Sequence, residues 1–464
     1  MVAAPWATAA EPLNLGSRLE PIVDDSLFAS LDGTELRLQH PQAGETVLTF
    51  DKPWEGRFSG YGTIIVDDGL YRFYYRGLPE ALADGSTLET TCYAESTDGI
   101  HFEKPNLGIF EVLGTRENNA ILADMAPFSH NFAPFLDTRP GVEPAHRYKA
   151  LAGTSQTGLV GFVSEDGLHW SKLREEPLIT DGAFDSQNVA FWSETEGQYL
   201  CYLRTFVDGF RWIARTTSED FVNWTEVKNM NFGDVPNEHL YTNQTMPYFR
   251  APHIYVGTAA RFMPGRRVVS SEAFAEWGGE GPYANDCSDS VLLTSRGGYD
   301  YDRTFMEGFV RPGPGLQNWT SRTNYPARGI VPTGEYEMSM YVQRHYGQPD
   351  HSLQRMILRT DGFASIHASY DGGEATTVPV VFDGDELVVN FATSAAGSVK
   401  VEVLDANGAP LAGFTRDEAD ELVGDAIEHA VTWSGSGDIS AWAGQPVQLR
   451  FIMKDADVYA LRSR

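Results

Sequence analysis

Along most of the chain, apolar and polar residues alternate with a period of two, the pattern of strands half-buried in antiparallel sheets. Runs at 62–66, 70–75, 199–204, 254–260 and 338–343 carry it first, and runs at 386–391, 398–404 and 447–454 later. Helical spacing is scarce, and its clearest candidate is TRDEADELVGDAIEHA at 415–430. The 45 glycines and 25 prolines are spread through the chain rather than pooled in one linker, as many short strands joined by tight turns require. The pattern predicts an all-β protein.

One turn recurs. It reads Ser96-Thr97-Asp98-Gly99-Ile100-His101-Phe102, then Ser164-Glu165-Asp166-Gly167-Leu168-His169-Trp170, and more loosely Ser218-Glu219-Asp220-Phe221-Val222-Asn223-Trp224. Degenerate copies stand at 294–298 and 359–363. Asp-Gly supplies the positive φ of a hairpin turn, and the aromatic that follows is placed to pack between sheets. Each copy follows an aromatic-rich strand such as YRFYYRG at 71–77 or GQYLCYLR at 197–204. Five copies of inner strand, second strand, Asp-Gly turn and outer strand, about 50–80 residues apart, describe a five-bladed β-propeller. The alternative is a β-sandwich whose hairpins share Asp-Gly turns. Blades are expected at 50–115, 125–180, 183–230, 238–308 and 322–370. After Tyr370 the texture changes to the short strands of a smaller, jelly-roll-like β-sandwich. The expected organisation is therefore 1–49 as an N-terminal extension closing onto the propeller, 50–370 as the five-bladed propeller, and 371–464 as a β-sandwich that caps it or binds glycan.

Composition narrows the function classes. With 35 basic and 64 acidic residues the formal charge is −29, against a nucleic-acid partner, whose phosphates need surplus Lys and Arg. No run of about eighteen apolar residues suggests a membrane span. Cys92, Cys201 and Cys287 are too far apart for a zinc knuckle and are read as buried free thiols. No phosphate loop, dinucleotide fingerprint or metal-ligand spacing occurs, so neither a cofactor nor a metal is expected, a structural cation on the axis being the one alternative. The opening VAAPWATAA reads as the small-residue tail of a trimmed signal peptide or as a disordered start; secretion or a periplasmic location is the expectation.

The S-x-D-G-x-H-W turn, together with the G-x-Y-x-x-Y strand before it, resembles the five-bladed glycoside hydrolases of the invertase, levansucrase and arabinanase type. More narrowly, DKPWEG at 51–56, FDSQN at 184–188, NEHLYTN at 237–243 and RTDGF at 359–363 resemble a bacterial group described as glycosyl hydrolase family 32/43-like. The resemblance implies a polysaccharide or oligosaccharide as partner and hydrolysis of its glycosidic bonds. A non-catalytic carbohydrate-binding propeller is the competing reading.

A propeller gathers the starts of its inner strands around one axial funnel, so polar residues there converge from distant positions. Blade one offers Trp54, Glu55, Arg57 and Tyr61; blade two His130 and Asn131; blade three Asp185, Gln187 and Asn188. Blade four offers Glu238, His239, Tyr241 and Asn243, and blade five Arg328 and Glu337. Glycosidic cleavage needs one protonated carboxyl for the leaving oxygen and one ionised carboxylate to attack or to activate water. Asp185 by position resembles the invertase-type aspartate, Glu238 is read as the general acid, and Glu337 as a third acid on a strand with one polar face. Glu55 is read as a rim residue beside Trp54, a stacking platform for sugar. The pattern departs from the better-known families at one place. Arabinanases carry an aspartate eight residues before the Gly of the first hairpin, where this chain has Tyr61, and the Asn-Asp-Pro start of invertases is missing. Arg76, Arg204, Arg261 and Arg344 end second strands and are read as bridges between blades, with a sialidase-like arginine cluster as the alternative.

Overall fold

The computed structural model describes residues 12–464, so the expectation for the first ten residues lies outside it. The chain divides into two units, 40–358 and a second formed by the flanking segments up to 39 and from 359.

In the first unit the strands form five separate four-stranded sheets. These are the five blades. Blade one runs through Gly60–Asp67, Leu70–Gly77, Thr90–Ser96 and Ala120–Leu122 in simple up-and-down order. Blades two and three repeat it with Ala133–Leu136 to Ser171–Lys172 and Val189–Ser193 to Lys228–Asn229. In blade four the inner strand is broken in two, His239–Leu240 and Met246–Tyr248, both paired with the long Ala251–Met263. Blade five takes its outermost strand from the other end of the sequence: Gln42–Thr49 pairs antiparallel with Ser352–Arg359. That pairing ties the segment before blade one to the last blade and so closes the ring, while each blade keeps one short outer edge.

The recurring turn lies one strand later than its sequence suggested, after the third strand of each blade rather than the second. Its chemistry is as read. Asp98 Oδ1 accepts from the amides of Ile100 and His101, and Asp166 Oδ1 from those of Leu168 and His169. Gly167 has φ +77°, and a Cβ there would stand 2.6 Å from the Tyr74 hydroxyl, so Gly serves both the turn and the close approach. The aromatic that follows wedges between blades: Trp170 of blade two meets Tyr74 of blade one, and Phe102 of blade one meets Tyr341 of blade five. Tyr and Phe rings that interlock at such contacts make up much of the core between the blades. All three cysteines are buried free thiols.

The second unit differs in its bounds from the expectation. Residues up to Gln39 belong to it, because Thr34–Leu38 pairs with Ala364–Ala368 and Phe28–Asp32 with Gly373–Thr377. The RTDGF turn at 359–363 therefore opens this unit rather than closing a fifth blade. Two long strands, Leu387–Asp405 and Val447–Ser463, run through it side by side, and their register breaks between Thr393 and Ser398. One half of the pair joins Gly373–Thr377 and Val380–Phe382; the other joins Ala364–Ala368, Glu20–Pro21 and Asp425–Ala430. The expected helix at 415–430 is absent. Gly424 (φ +130°) interrupts the helical spacing, Glu418 folds back onto Thr415, and Asp425–Ala430 is drawn into the sheet, where Ile427 is buried. Among the described residues the α-helix is Ser271–Glu276, capped by Ser270, in an insertion of blade four. Among the described residues no helix is long and apolar enough to cross a membrane.

Candidate active site

The inner strands all begin at one end of the propeller axis. Gly60 pairs with Arg76, Val189 with Tyr202 and Pro326 with Val342, so the ends of the second strands arrive at the same rim as the starts of the first. Deeper in, the axis is closed by side chains. Gln187 donates to the Gly62 carbonyl and Thr63 Oγ1, Gln244 donates to Gln187 Oε1 and the Pro326 carbonyl, and Arg328 donates to the carbonyls of Thr245 and Ala190. Burial without a carboxylate partner pulls the Arg328 guanidinium down to about 10. Gln187 and Arg328, expected to bind substrate, are instead the plug that turns the funnel into a blind pocket.

Asp185 stands at the mouth with 62% of its side chain exposed. The turn that carries it is clamped from below: Asn131 Nδ2 and Asn188 Nδ2 both donate to the carbonyls of Phe184 and Ser186, on either side of Asp185. Asn131 and Asn188 are thus positioning residues rather than sugar contacts. His130 Nε2 lies 3.3 Å from Asp185 Oδ1, and His130 Nδ1 lies 2.7 Å from the fully buried Glu89. The hydrogen bond from His130 holds the Asp185 carboxyl far below its ordinary value against the cost of burial, and Arg204, 3.5 Å away, adds to it. On His130 burial acts downward, but the bonds to Asp185 and Glu89 outweigh it and raise the imidazole above its usual 6.5. Asp185 is thereby held ionised beside an imidazole whose protonated form the same contacts favour.

Tyr61, which replaces the blade-one aspartate, lies edge-on to His130 with centroids 5.5 Å apart and under the Arg76 guanidinium at 4.8 Å. Burial, then Tyr241 and Asp185, raise its phenol well above 10, so it stays neutral. Tyr61, Gln244 and Arg322 line one pocket and all have left-handed backbones, with φ of +51°, +52° and +59°. Such conformations cost side-chain-bearing residues about 1–3 kcal/mol each and gather where function demands them.

Of the candidates, Tyr61, His130, Asp185 and Tyr241 come together, and the others do not join them. Both Glu238 oxygens accept from arginines, Arg261 at 2.8 Å and Arg303 at 2.5 Å, in a cluster completed by Asp289. Glu337 pairs with Arg355 and lies six residues along Glu337–Arg344 from the funnel-lining Gln343, about 20 Å at the strand rise. It belongs to the far end of the blade. Trp54 is buried with its indole N–H on Asn119, so it offers no stacking face. Arg57 is tied to Gly278 and Glu280, and Asn243 to the Thr245 amide. His239 accepts from the Arg211 amide, and burial followed by the Arg211 charge lowers its pKa.

Glu55 is wholly buried, accepting from Tyr75 at 2.5 Å and from Lys104 at 2.6 Å. Its role is structural. Glu55→Ala leaves the buried Tyr75 hydroxyl without its acceptor and takes one of two carboxylates from Lys104, which keeps Asp51 and the Thr49 carbonyl, and is expected to lower the unfolding free energy by roughly 1–3 kcal/mol in chemical denaturation. Glu55→Gln activity lost with stability intact would restore it to the site.

Several funnel residues were not foreseen. Asp84, one-third exposed, accepts from Arg76 at 3.0 Å; Arg76 is also 3.2 Å from His130 Nδ1. Asp84, Glu89 and His130 have ligand atoms within 4.8 Å of one another, but the Arg76 guanidinium already stands among them in a cation's place. Arg204, Arg211 and Arg322 surround the Tyr241–Tyr325 pair. Arg76 and Arg204 thus serve the funnel, and Arg261 pairs with Glu238 and Asp289 of its own blade rather than bridging to the next one as expected.

Because His130 titrates above its unfolded value, its stabilising bonds are complete below about 6.5 and are lost as pH rises through the raised folded value. Wild type should therefore lose stability relative to His130→Gln as pH rises from about 6.5 through the raised folded value in urea unfolding. Parallel curves would show that the imidazole is neutral throughout.

No family model and no curated protein matches the sequence. Solved structures of similar form include an N-acetylgalactosamine deacetylase from F. plautii in complex with blood group B trisaccharide, 12% identical, covering 71% of this chain and 96% of its own, at a TM-score of 0.47. A Bombyx mori beta-fructofuranosidase is 8% identical over 90% of this chain and 94% of its own, at 0.43. A beta-1,2-mannobiose phosphorylase from Listeria innocua is 11% identical over 68% and 95%, also at 0.43. The five-bladed architecture rests on the strand pairing of this chain itself.

Proposed function

We propose that the protein is a glycoside hydrolase that works in the axial funnel, removing residues from the end of a polysaccharide or oligosaccharide. The observation that carries this reading is the ionised, solvent-open Asp185 held between His130 and Arg204 at the mouth of a blind pocket. In this role Asp185 attacks the anomeric carbon, activates water or stabilises the oxocarbenium-like transition state. Asp84 is assigned as the proton donor on the condition that bound substrate draws it off its ion pair with Arg76, since a guanidinium partner favours the carboxylate form. It sits across the Arg76–His130 pair from Asp185, has solvent access, and commits only one oxygen to Arg76. The plug of Gln187, Gln244 and Arg328 supports exo action, since a chain cannot pass through it.

One observation favours a binding module instead: Glu55, Glu238 and Glu337 are all consumed in ion pairs, so the funnel has fewer free acids than the sequence promised. A reducing-end assay over a panel of neutral and anionic oligosaccharides separates the two. Release of terminal sugar supports the hydrolase. Binding without release from any panel member overturns it.

A further inference from the structure

Behind Asp185 the pocket narrows between Tyr61, Thr242, Gln244, Arg322 and Tyr325. Its walls hold polar atoms that no protein group satisfies. The Tyr325 hydroxyl, Thr242 Oγ1 and Gln244 Oε1 are buried without a hydrogen-bond partner among the described residues. A buried orphan of this kind costs about 1–3 kcal/mol; the Tyr325 and Thr242 hydroxyls can donate to a ligand acceptor, while Gln244 Oε1 calls for a donor such as a sugar hydroxyl.

Around it guanidinium groups gather, with Asp185 at the mouth as the carboxylate nearest to them. Arg322 donates to the Tyr346 hydroxyl and lies over the rings of Tyr283 and Tyr346. Arg211 faces the rings of Tyr241 and Phe262, and its Nε is buried without a partner. Neither is neutralised by a carboxylate of the described residues. Arg204 approaches the same Tyr241 ring at 5.2 Å and reaches Asp185 only at 3.5 Å. In a chain with 29 more acidic than basic side chains, three guanidinium groups around one pair of tyrosines are a local reversal of the field. Guanidinium forks with hydroxyl donors match the geometry of a carboxylate or sulfate oxygen set, and a neutral sugar would leave the half-buried Arg211 and Arg322 without a close counter-charge.

We propose that this pocket binds an anionic substituent of the terminal sugar, a carboxylate or a sulfate ester, held by Arg322 and Arg211 with the Tyr325 and Thr242 hydroxyls. The inference rests on the funnel being the sugar site and adds the class of sugar. The anion enters the narrow part while the anomeric carbon stays at the mouth beside Asp185, so the charge orients the ring for cleavage.

The test is binding, measured by calorimetry on the full chain carrying Asp185→Asn, so that cleavage does not interfere. Three probes are compared: an oligogalacturonate, its carboxyl-reduced neutral counterpart, and a sulfated galactose oligosaccharide. At least one anionic probe should bind about tenfold or more tightly than the neutral one, the worth of a charge-assisted bidentate contact. Preference for the uronate or for the sulfate assigns the source of the charge. Arg322→Gln should reduce the anionic-over-neutral preference at least tenfold, whatever it does to neutral binding, and circular dichroism verifies that the variant is folded. Equal affinity for all three probes, or a preference that survives both Arg322→Gln and Arg211→Gln, overturns the proposal. A neutral oligosaccharide cleaved by wild type would leave the hydrolase reading standing while this one fails. Tight anion binding with no cleavage of any probe would do the reverse.

Discussion

Asp185→Asn should reduce turnover by roughly 10³-fold or more, and by similar factors on substrates with good and with poor leaving groups. The reason is the position of the carboxylate in the reaction. Positive charge develops at the anomeric carbon whatever leaves, so the group that meets this charge is needed for every substrate. An amide of the same shape can still accept from His130 but supplies neither the negative charge nor a nucleophilic oxygen. Binding should survive, because the Asn131 and Asn188 clamps hold the turn through its backbone and not through the Asp185 side chain. The measurement is kcat on an aryl glycoside and on a natural oligosaccharide, with affinity taken separately. A variant with unchanged kcat on both would remove Asp185 from the chemistry, and no other feature of the funnel would then support hydrolysis.

What was legible in the sequence was what local chemistry determines. The Ser-x-Asp-Gly turn makes its own hydrogen bonds within four residues, and its aromatic needs only a neighbouring blade to pack against, so repeat counting found the propeller. FDSQN was legible for a related reason, since acid and amides at the start of an inner strand must face either the axis or the turn. Here they do both, with Asp185 at the mouth, Gln187 on the axis and Asn188 under the turn. The misplaced acids share a different cause. Glu55, Glu238 and Glu337 are claimed by Lys104, by Arg261 and Arg303, and by Arg355, partners that lie 18–65 residues away in sequence. A sequence does not state which arginine a carboxylate will meet across strands. The outer strand of blade five and the bounds of the second unit were misread because the segments before Phe50 pair with residues some three hundred positions later. Asp84 offered no signal at all, since it lies in a polar loop, LPEALADGSTLE, of the kind that usually faces solvent.

For Asp84 the expected result is a dependence on leaving group. Asp84→Asn removes the transferable proton while keeping an acceptor for Arg76, so the Arg76–His130–Glu89 network should stay in place. Turnover of a natural oligosaccharide, whose leaving alkoxide must be protonated, should fall by roughly 10²–10⁴-fold. An aryl glycoside with an acidic phenol leaves with little assistance and should lose less than about tenfold. The alkaline limb of the pH profile should disappear with the carboxyl group, because that limb reports the donor's loss of its proton. Glu238→Gln is the control. It breaks the pairs with Arg261 and Arg303, so its effect should be on stability, equal for both kinds of substrate, and without the leaving-group signature. If instead Glu238→Gln shows that signature and Asp84→Asn does not, the proton comes from blade four. The Glu238 ion-pair cluster would then have to open when substrate binds, releasing a carboxyl that both arginines now hold.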